Sequence, residues 1–145
     1  MKIVIAKNPK NGNLCVLYPA NVNADERELM ILAEKTFTPE YERRIIQESE
    51  LPEENLFFDA IEYDNLQVNI DKAKKIRLEQ YRKARVPLLE KLDIEFMRAV
   101  ETKNDLLQQE IAQKKQALRD ITLIDLPNTL EGIKNVWPDI LNQIK

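Results

Sequence analysis

The fold is decided by residues 70–121, IDKAKKIRLEQYRKARVPLLEKLDIEFMRAVETKNDLLQQEIAQKKQALRDI. A helical run is predicted from about Asp71 to Glu101, with an apolar stripe in its second half and a far more polar first half, and another from about Asn104 to Ile121. The turn signal Lys103-Asn104-Asp105 falls between these two runs. The stretch therefore predicts a long helix that folds back, through a short turn, against a second helix.

Pro87 interrupts the first of these helices. Because an interior proline costs about 3 kcal/mol and removes a backbone hydrogen bond, we expect either a kink near Lys83 to Pro87 or two helices that meet there. Folding the helices about Lys103 predicts an ion pair between Arg85 and Asp120. The first half of the long helix, up to Arg85, is polar and basic, and we expect it to dock a partner. The apolar half beyond Pro87 should hold the fold together.

The residues before the long helix predict a small α/β unit. An Asn-Gly turn signal between two apolar runs indicates a β-hairpin, and a helix with Asn23 as its N-cap follows. A third strand comes next, and then a run that is ambiguous between strand and helix, for which we favour a short helical turn. The expected bounds are Ile3–Leu17 for the hairpin, Ala24–Phe37 for the helix, Tyr41–Gln47 for the third strand and Leu56–Tyr63 for the ambiguous run.

After Ile121 the pattern predicts a short helix capped by Asn128 or Thr129, and a last amphipathic piece from Asp139 to Lys145. The predicted fold class is therefore α+β: a β-hairpin-plus-helix unit, a long antiparallel helical hairpin and a short helical tail. The expected divisions are residues 1–69, 70–121 and 122–145, either as separate segments or as one continuous domain.

The composition argues against an enzyme. The 145 residues contain no His, which removes the commonest general base and metal ligand. Cys15 is the only cysteine and lies in an apolar run, so a buried structural thiol is favoured over a nucleophile. Two Gly residues are too few for a phosphate-binding loop. We expect no catalytic residue, no metal site and no cofactor.

Hydropathy points to a cytoplasmic protein. No apolar run approaches the ~18 residues that a membrane span requires, so no membrane contact is expected. The first seven residues are too short and too soon charged to resemble a signal peptide.

Charge is distributed unevenly along the chain. Glu40 to Asp64 holds nine acidic and two basic residues, a net of −7, and Lys72 to Lys91 holds eight basic and two acidic residues, a net of +6. The two blocks could meet within one chain or between copies, which leaves homo-oligomerisation open. Nucleic acid is disfavoured as the partner of the basic block, because the net charge is −3 and no nucleic-acid-reading motif is present.

The candidate contact residues lie in the long hairpin and in the tail that follows it. Asp93 lies beside the apolar stripe, where it either contacts a partner or forms an internal ion pair, for example with Lys114. Trp137 in the tail either covers the hairpin core or anchors a partner. The candidate partner-binding residues are Arg82, Arg85, Asp93, Arg98, Arg119 and Trp137.

A combined pattern runs through the segments Leu51–Ala60, Val68–Ile76, Arg82–Asp93, Phe96–Glu101, Ile111–Asp120 and Leu130–Pro138. From Leu51 to Pro138 this pattern resembles small proteins of tailed-bacteriophage and prophage tail modules, of the tail assembly chaperone or tail-fibre-associated type. Two departures from their pattern occur upstream, where Phe58 replaces Arg and Ile61 replaces Trp.

This resemblance implies a non-enzymatic protein that contacts a phage tail or tail-fibre protein during assembly. It would act in the host cytoplasm and either leave or enter the finished particle. Two alternatives remain open: a permanent structural component of the virion tail, and a phage-encoded inhibitor of a host defence protein whose acidic block mimics nucleic acid.

Overall fold

The computed structural model describes residues 1–142 and has the predicted α+β fold. It comprises two compact units, the first from Met1 to Ala73 and the second from Lys74 onward. The first unit contains the β-sheet and the second contains most of the helices. The long helix begins in the first unit and continues into the second.

The sheet of the first unit has three antiparallel strands in the order β2-β1-β3. The predicted hairpin is confirmed as β1 (Lys2–Lys7) and β2 (Leu14–Leu17), and the predicted third strand as β3 (Glu42–Gln47). Gly12 closes the β1–β2 turn with a φ of +74°, a conformation that residues with a side chain rarely adopt.

Both faces of the sheet are covered. Helix α1 (Glu26–Thr36) packs Leu29 and Ala33 against Val4 on one face. On the other face Ile3 and Ile5 pack against the segment that follows β3, which contributes Ile61 and Tyr63. Since β-strand side chains alternate between faces, the fully buried run Ile3–Ala6 explains why β1 is the central strand.

The N-cap of α1 differs from the prediction. Asp25 caps the helix, because its Oδ1 accepts from the backbone N–H of Glu28 at 2.8 Å and the Glu28 carboxylate accepts from the N–H of Asp25 at 3.0 Å. This reciprocal capping box needs an acid three residues after the cap. The acid at the equivalent spacing from Asn23 is Glu26, whose carboxylate instead accepts from the Lys2 ammonium at 2.8 Å.

The helical turn predicted within Leu56–Tyr63 is present as a short 3-10 helix, Phe58–Ala60. Ile61, directly after it, forms an isolated antiparallel bridge with Val68. The run therefore contains both conformations: one turn of helix is followed directly by extended backbone.

Helix α2 spans Ile70–Glu101 without interruption, and Pro87 lies inside it. The alternative of two helices meeting at Pro87 is therefore wrong. The turn at Lys103, which has a φ of +52°, leads to α3 (Asp105–Asp120). Asn104 caps α3 by accepting from the N–H of Leu107 at 3.1 Å.

The chain continues through a 3-10 turn at Ile121–Leu123 to α4 (Leu130–Asn135) and a second 3-10 turn at Asp139–Asn142. Of the two predicted caps of α4, Thr129 is the one used, since its Oγ1 accepts from the N–H of Gly132 at 3.1 Å. The end of the last predicted amphipathic piece, residues 143–145, lies outside the described residues.

Candidate partner-binding surface

Helix α2 carries a row of exposed apolar side chains on the side away from its buried ones. Tyr81, Leu88 and Ala99 are buried on the inner side. The exposed row, here called the α2 stripe, is offset from them around the helix and extends over about 21 Å at 1.5 Å per residue. Its members and their exposed fractions are Val86 (49%), Ile94 (56%), Met97 (59%) and Val100 (43%).

The sequence prediction missed this stripe. It expected the apolar half beyond Pro87 to hold the fold together and did not single out Ile94 or Met97 as contact residues. The helical period contained the signal, since Ile94 and Met97 lie two and five residues after Leu92 and so fall on other sides of the helix. Leu106, at the start of α3, is 69% exposed and adds apolar surface near the turn.

Trp137 is used inside the second unit. Its ring meets that of Tyr81 edge-on, with centroids 5.3 Å apart, and its Nε1 donates to Asn142. The Tyr81 hydroxyl donates to the carbonyl oxygen of Val136, and burial raises the pKa of Tyr81. Of the two predicted roles of Trp137, the structure shows core cover.

Arg77, which the sequence placed in the basic docking half, is 7% exposed. Its guanidinium donates to the carbonyl oxygens of Lys134 (2.7 Å) and Val136 (3.3 Å) and to Gln80 (2.9 Å). These carbonyls belong to the end of α4, where partial negative charge favours a cation. The first half of α2 therefore also holds part of the core, contrary to the prediction.

Other bases of the same block have local partners. Lys72 Nζ lies 3.1 Å from the Glu62 carboxylate, and Arg82 Nη1 lies 3.0 Å from that of Glu79. Lys74 donates to the side chain of Asn128. Several bases of the predicted docking surface therefore already have an ion-pair or hydrogen-bond partner within their own unit.

Arg85 does not pair with Asp120. Its Nη1 donates to the carbonyl oxygens of Arg119 (2.9 Å) and Leu118 (3.4 Å), and Asp120 accepts from Gln116 at 2.9 Å. The predicted proximity of Arg85 to the end of α3 is correct, but the last-turn carbonyls, which lack helical partners, are the acceptors.

Asp93 forms the internal ion pair that the sequence favoured, but with Lys115 instead of Lys114, at 2.5 Å. The ammonium of Lys115 also lies 5.4 Å from the centroid of the Phe96 ring. Arg98 and Arg119 are exposed. The six predicted contact residues are therefore spread over the second unit. Arg85 caps α3 and Trp137 packs on Tyr81, whereas Arg82 and Asp93 form ion pairs.

A shallow groove lies between α2 and α3, here called the α2–α3 groove. Leu88, Leu92 and Leu118 line its floor, and its volume is about 180 Å³. Lys91 and Glu95 from α2 and Lys114 from α3 form its rim, and Ile140 closes one side. It combines an apolar floor with charged edges in one place.

Within residues 1–142 no group of three or more His, Cys, Asp or Glu side chains could hold a metal ion. Burial, and secondarily the nearby Asp59, raises the pKa of the half-buried Cys15, which keeps it a protonated thiol. None of the described helices has both the length and the apolar content to cross a bilayer.

Comparisons with known proteins found no matching protein family, no matching curated protein and no matching solved structure.

Proposed function

We propose that this protein acts by protein–protein contact in the assembly of a phage or prophage tail or tail fibre, and that the α2 stripe is its principal contact surface. The observation that carries the contact role is the exposure of four large apolar side chains on one side of a single helix. Contiguous exposed apolar surface on a folded protein marks interaction sites.

The geometry of the α2 stripe is suited to binding a polypeptide segment that runs along the helix. Met97 and Val100 lie about three and four helical turns after Val86, so a partner segment can follow the helix axis. The opposite side of α2 is fixed by Tyr81, Leu88 and Ala99, which are buried. A helix held in this way presents its outer side chains with little loss of conformational freedom on binding.

The assignment to a phage tail module rests on the resemblance over Leu51 to Pro138. In this proposal the protein is not an enzyme. It shields apolar surface of a tail polypeptide in the host cytoplasm until assembly, and it uses no cofactor.

The test is a pull-down of the tagged protein from cells in which the phage is produced, with quantitative mass spectrometry. We expect a tail or tail-fibre protein to be enriched by the native chain and lost with the double substitution Ile94→Glu, Met97→Glu. Leu123→Glu is the matched control, because Leu123 is 78% exposed and lies outside the stripe. Recovery of no tail protein, or equal recovery by all three proteins, would contradict the proposal.

Mass spectrometry of purified particles separates an assembly protein from a permanent tail component. An assembly protein is absent from the mature particle, whereas a component is present in a fixed ratio to the other tail proteins. We expect absence.

A further inference from the structure

The α2–α3 groove is chemically unlike the α2 stripe. Its floor is made of three leucines, of which Leu88 and Leu118 are 6% and 2% exposed, so the floor is part of the packed core between the helices. At about 180 Å³ the groove has room for one large apolar side chain, but not for a whole helix.

The rim of the groove carries two exposed lysines and one glutamate. Lys91 and Lys114 are exposed, and neither has an ion-pair partner within residues 1–142. The neighbouring Lys115 differs, because Asp93 neutralises it. Glu95 also lies on the rim, at more than ion-pair distance from both lysines, so the rim has a net charge of +1.

These two properties define a complementary ligand. The leucine floor favours an apolar group that leaves water, and the two ammonium groups favour carboxylates beside it. A nucleic acid fits less well, because the lining offers no aromatic ring for base stacking.

We propose that the α2–α3 groove binds an acidic protein segment that inserts one apolar side chain between Leu88, Leu92 and Leu118 and places carboxylates against Lys91 and Lys114. This inference deepens the proposed function, on which it rests, by naming the chemistry of the partner segment. The two lysines lie on different helices, so they can contact carboxylates on either side of the inserted side chain.

The test uses a defined probe on the purified, full-length protein. The probe is a blocked synthetic peptide in which single leucines are flanked by glutamates, and binding is measured by calorimetry. One control peptide has lysine in place of each glutamate, and a second has serine in place of each leucine. We expect binding of the first peptide alone, weakening as salt is raised because exposed charges are screened.

Matched variants locate the binding. The double substitution Lys91→Glu, Lys114→Glu should weaken binding about tenfold or more, since two attractive exposed contacts become repulsive. Lys75→Glu, Lys83→Glu changes the charge by the same amount at exposed positions of α2 outside the groove and should leave affinity within about twofold. Glu95→Gln should strengthen binding, because it removes the repulsive carboxylate from the rim.

The outcomes separate this inference from the proposed function. Equal binding of all peptides, or equal weakening by the two lysine pairs, overturns the groove assignment whatever the pull-down shows. Binding that follows the groove variants supports it even if no tail protein is recovered, and in that case the tail-assembly proposal alone fails. Circular dichroism of each variant checks that the helical content is unchanged.

Discussion

The guanidinium carbon of Arg77 lies 4.9 Å from the centroid of the Trp137 ring, and the same guanidinium donates to two carbonyl oxygens at the end of α4. One side chain of the long helix therefore holds the C-terminal segment by a cation–π contact and by hydrogen bonds. A planar, multi-donor cation is required for this arrangement, and lysine cannot reproduce it.

We predict that Arg77→Lys lowers the free energy of unfolding by about 1–3 kcal/mol, because a single ammonium group cannot donate to both carbonyl oxygens in this geometry, and a part-buried acceptor then loses its donor. Denaturant unfolding followed by circular dichroism measures this. Arg82→Lys is the control, since Arg82 is exposed and its ion pair within residues 1–142 is with Glu79, and it should change stability by less than about 0.5 kcal/mol. Similar losses for the two variants would contradict the structural role of Arg77.

Pro87 lies on the exposed side of an unbroken helix, where it removes the backbone N–H that would bond to the carbonyl of Lys83. We predict that Pro87→Ala raises the free energy of unfolding, by up to about 3 kcal/mol, the usual cost of an interior proline. A urea titration of both proteins tests this. A loss of stability in the alanine variant would show that the helix depends on the proline geometry.

Arg85 caps the last turn of α3 from the neighbouring helix. We predict that Arg85→Ala lowers stability by about 0.5–1.5 kcal/mol and speeds amide hydrogen exchange in the last turn of α3 more than elsewhere. Hydrogen exchange with mass spectrometry gives both readings. Uniform acceleration over α3, with no local excess, would mean that the contact does not secure the helix end.

Glu62 lies before α2 and accepts hydrogen bonds from Asn69, directly before that helix, and from Lys72 in its first turn. Hydrogen bonds from Lys72 and Asn69 lower the pKa of its carboxyl group. Because the folded-state pKa is depressed, this contribution is present above the unfolded pKa of about 4.3 and is lost as pH falls through the folded pKa.

We therefore predict that Glu62→Gln destabilises the protein near pH 7, by no more than about 1 kcal/mol for so exposed a pair, and that the difference from the native chain disappears toward pH 3. Thermal unfolding across pH 3–7 measures it. A difference that grows on acidification would have the opposite sign and would exclude this linkage.

Local patterns explain the predictions that the structure confirms. The Asn-Gly turn between apolar runs gave the β1–β2 hairpin, and the signal at Lys103-Asn104-Asp105 gave the turn before α3. Each depends on residues adjacent in sequence, whose conformational preferences act without help from the rest of the chain. The resemblance to phage tail proteins and the function it implies stay predictions.

Two of the errors share a cause. The sequence predicted that Arg85 and the basic first half of α2, which includes Arg77, make contacts, but not which groups they contact. Arg77 and Arg85 were assigned to a partner or to Asp120, whereas both donate to carbonyl oxygens at helix ends. Backbone acceptors have no signature in a sequence, because every residue carries one.

By itself, the sequence determined the α+β class, the positions of the main helices and strands, and the uneven charge. The tertiary structure decided which side of each helix is buried, and with it the exposure of Ile94 and Met97 and the formation of the α2–α3 groove. The reason is physical: helical periodicity places residues on a side of a helix, but only packing against other elements determines which sides leave water.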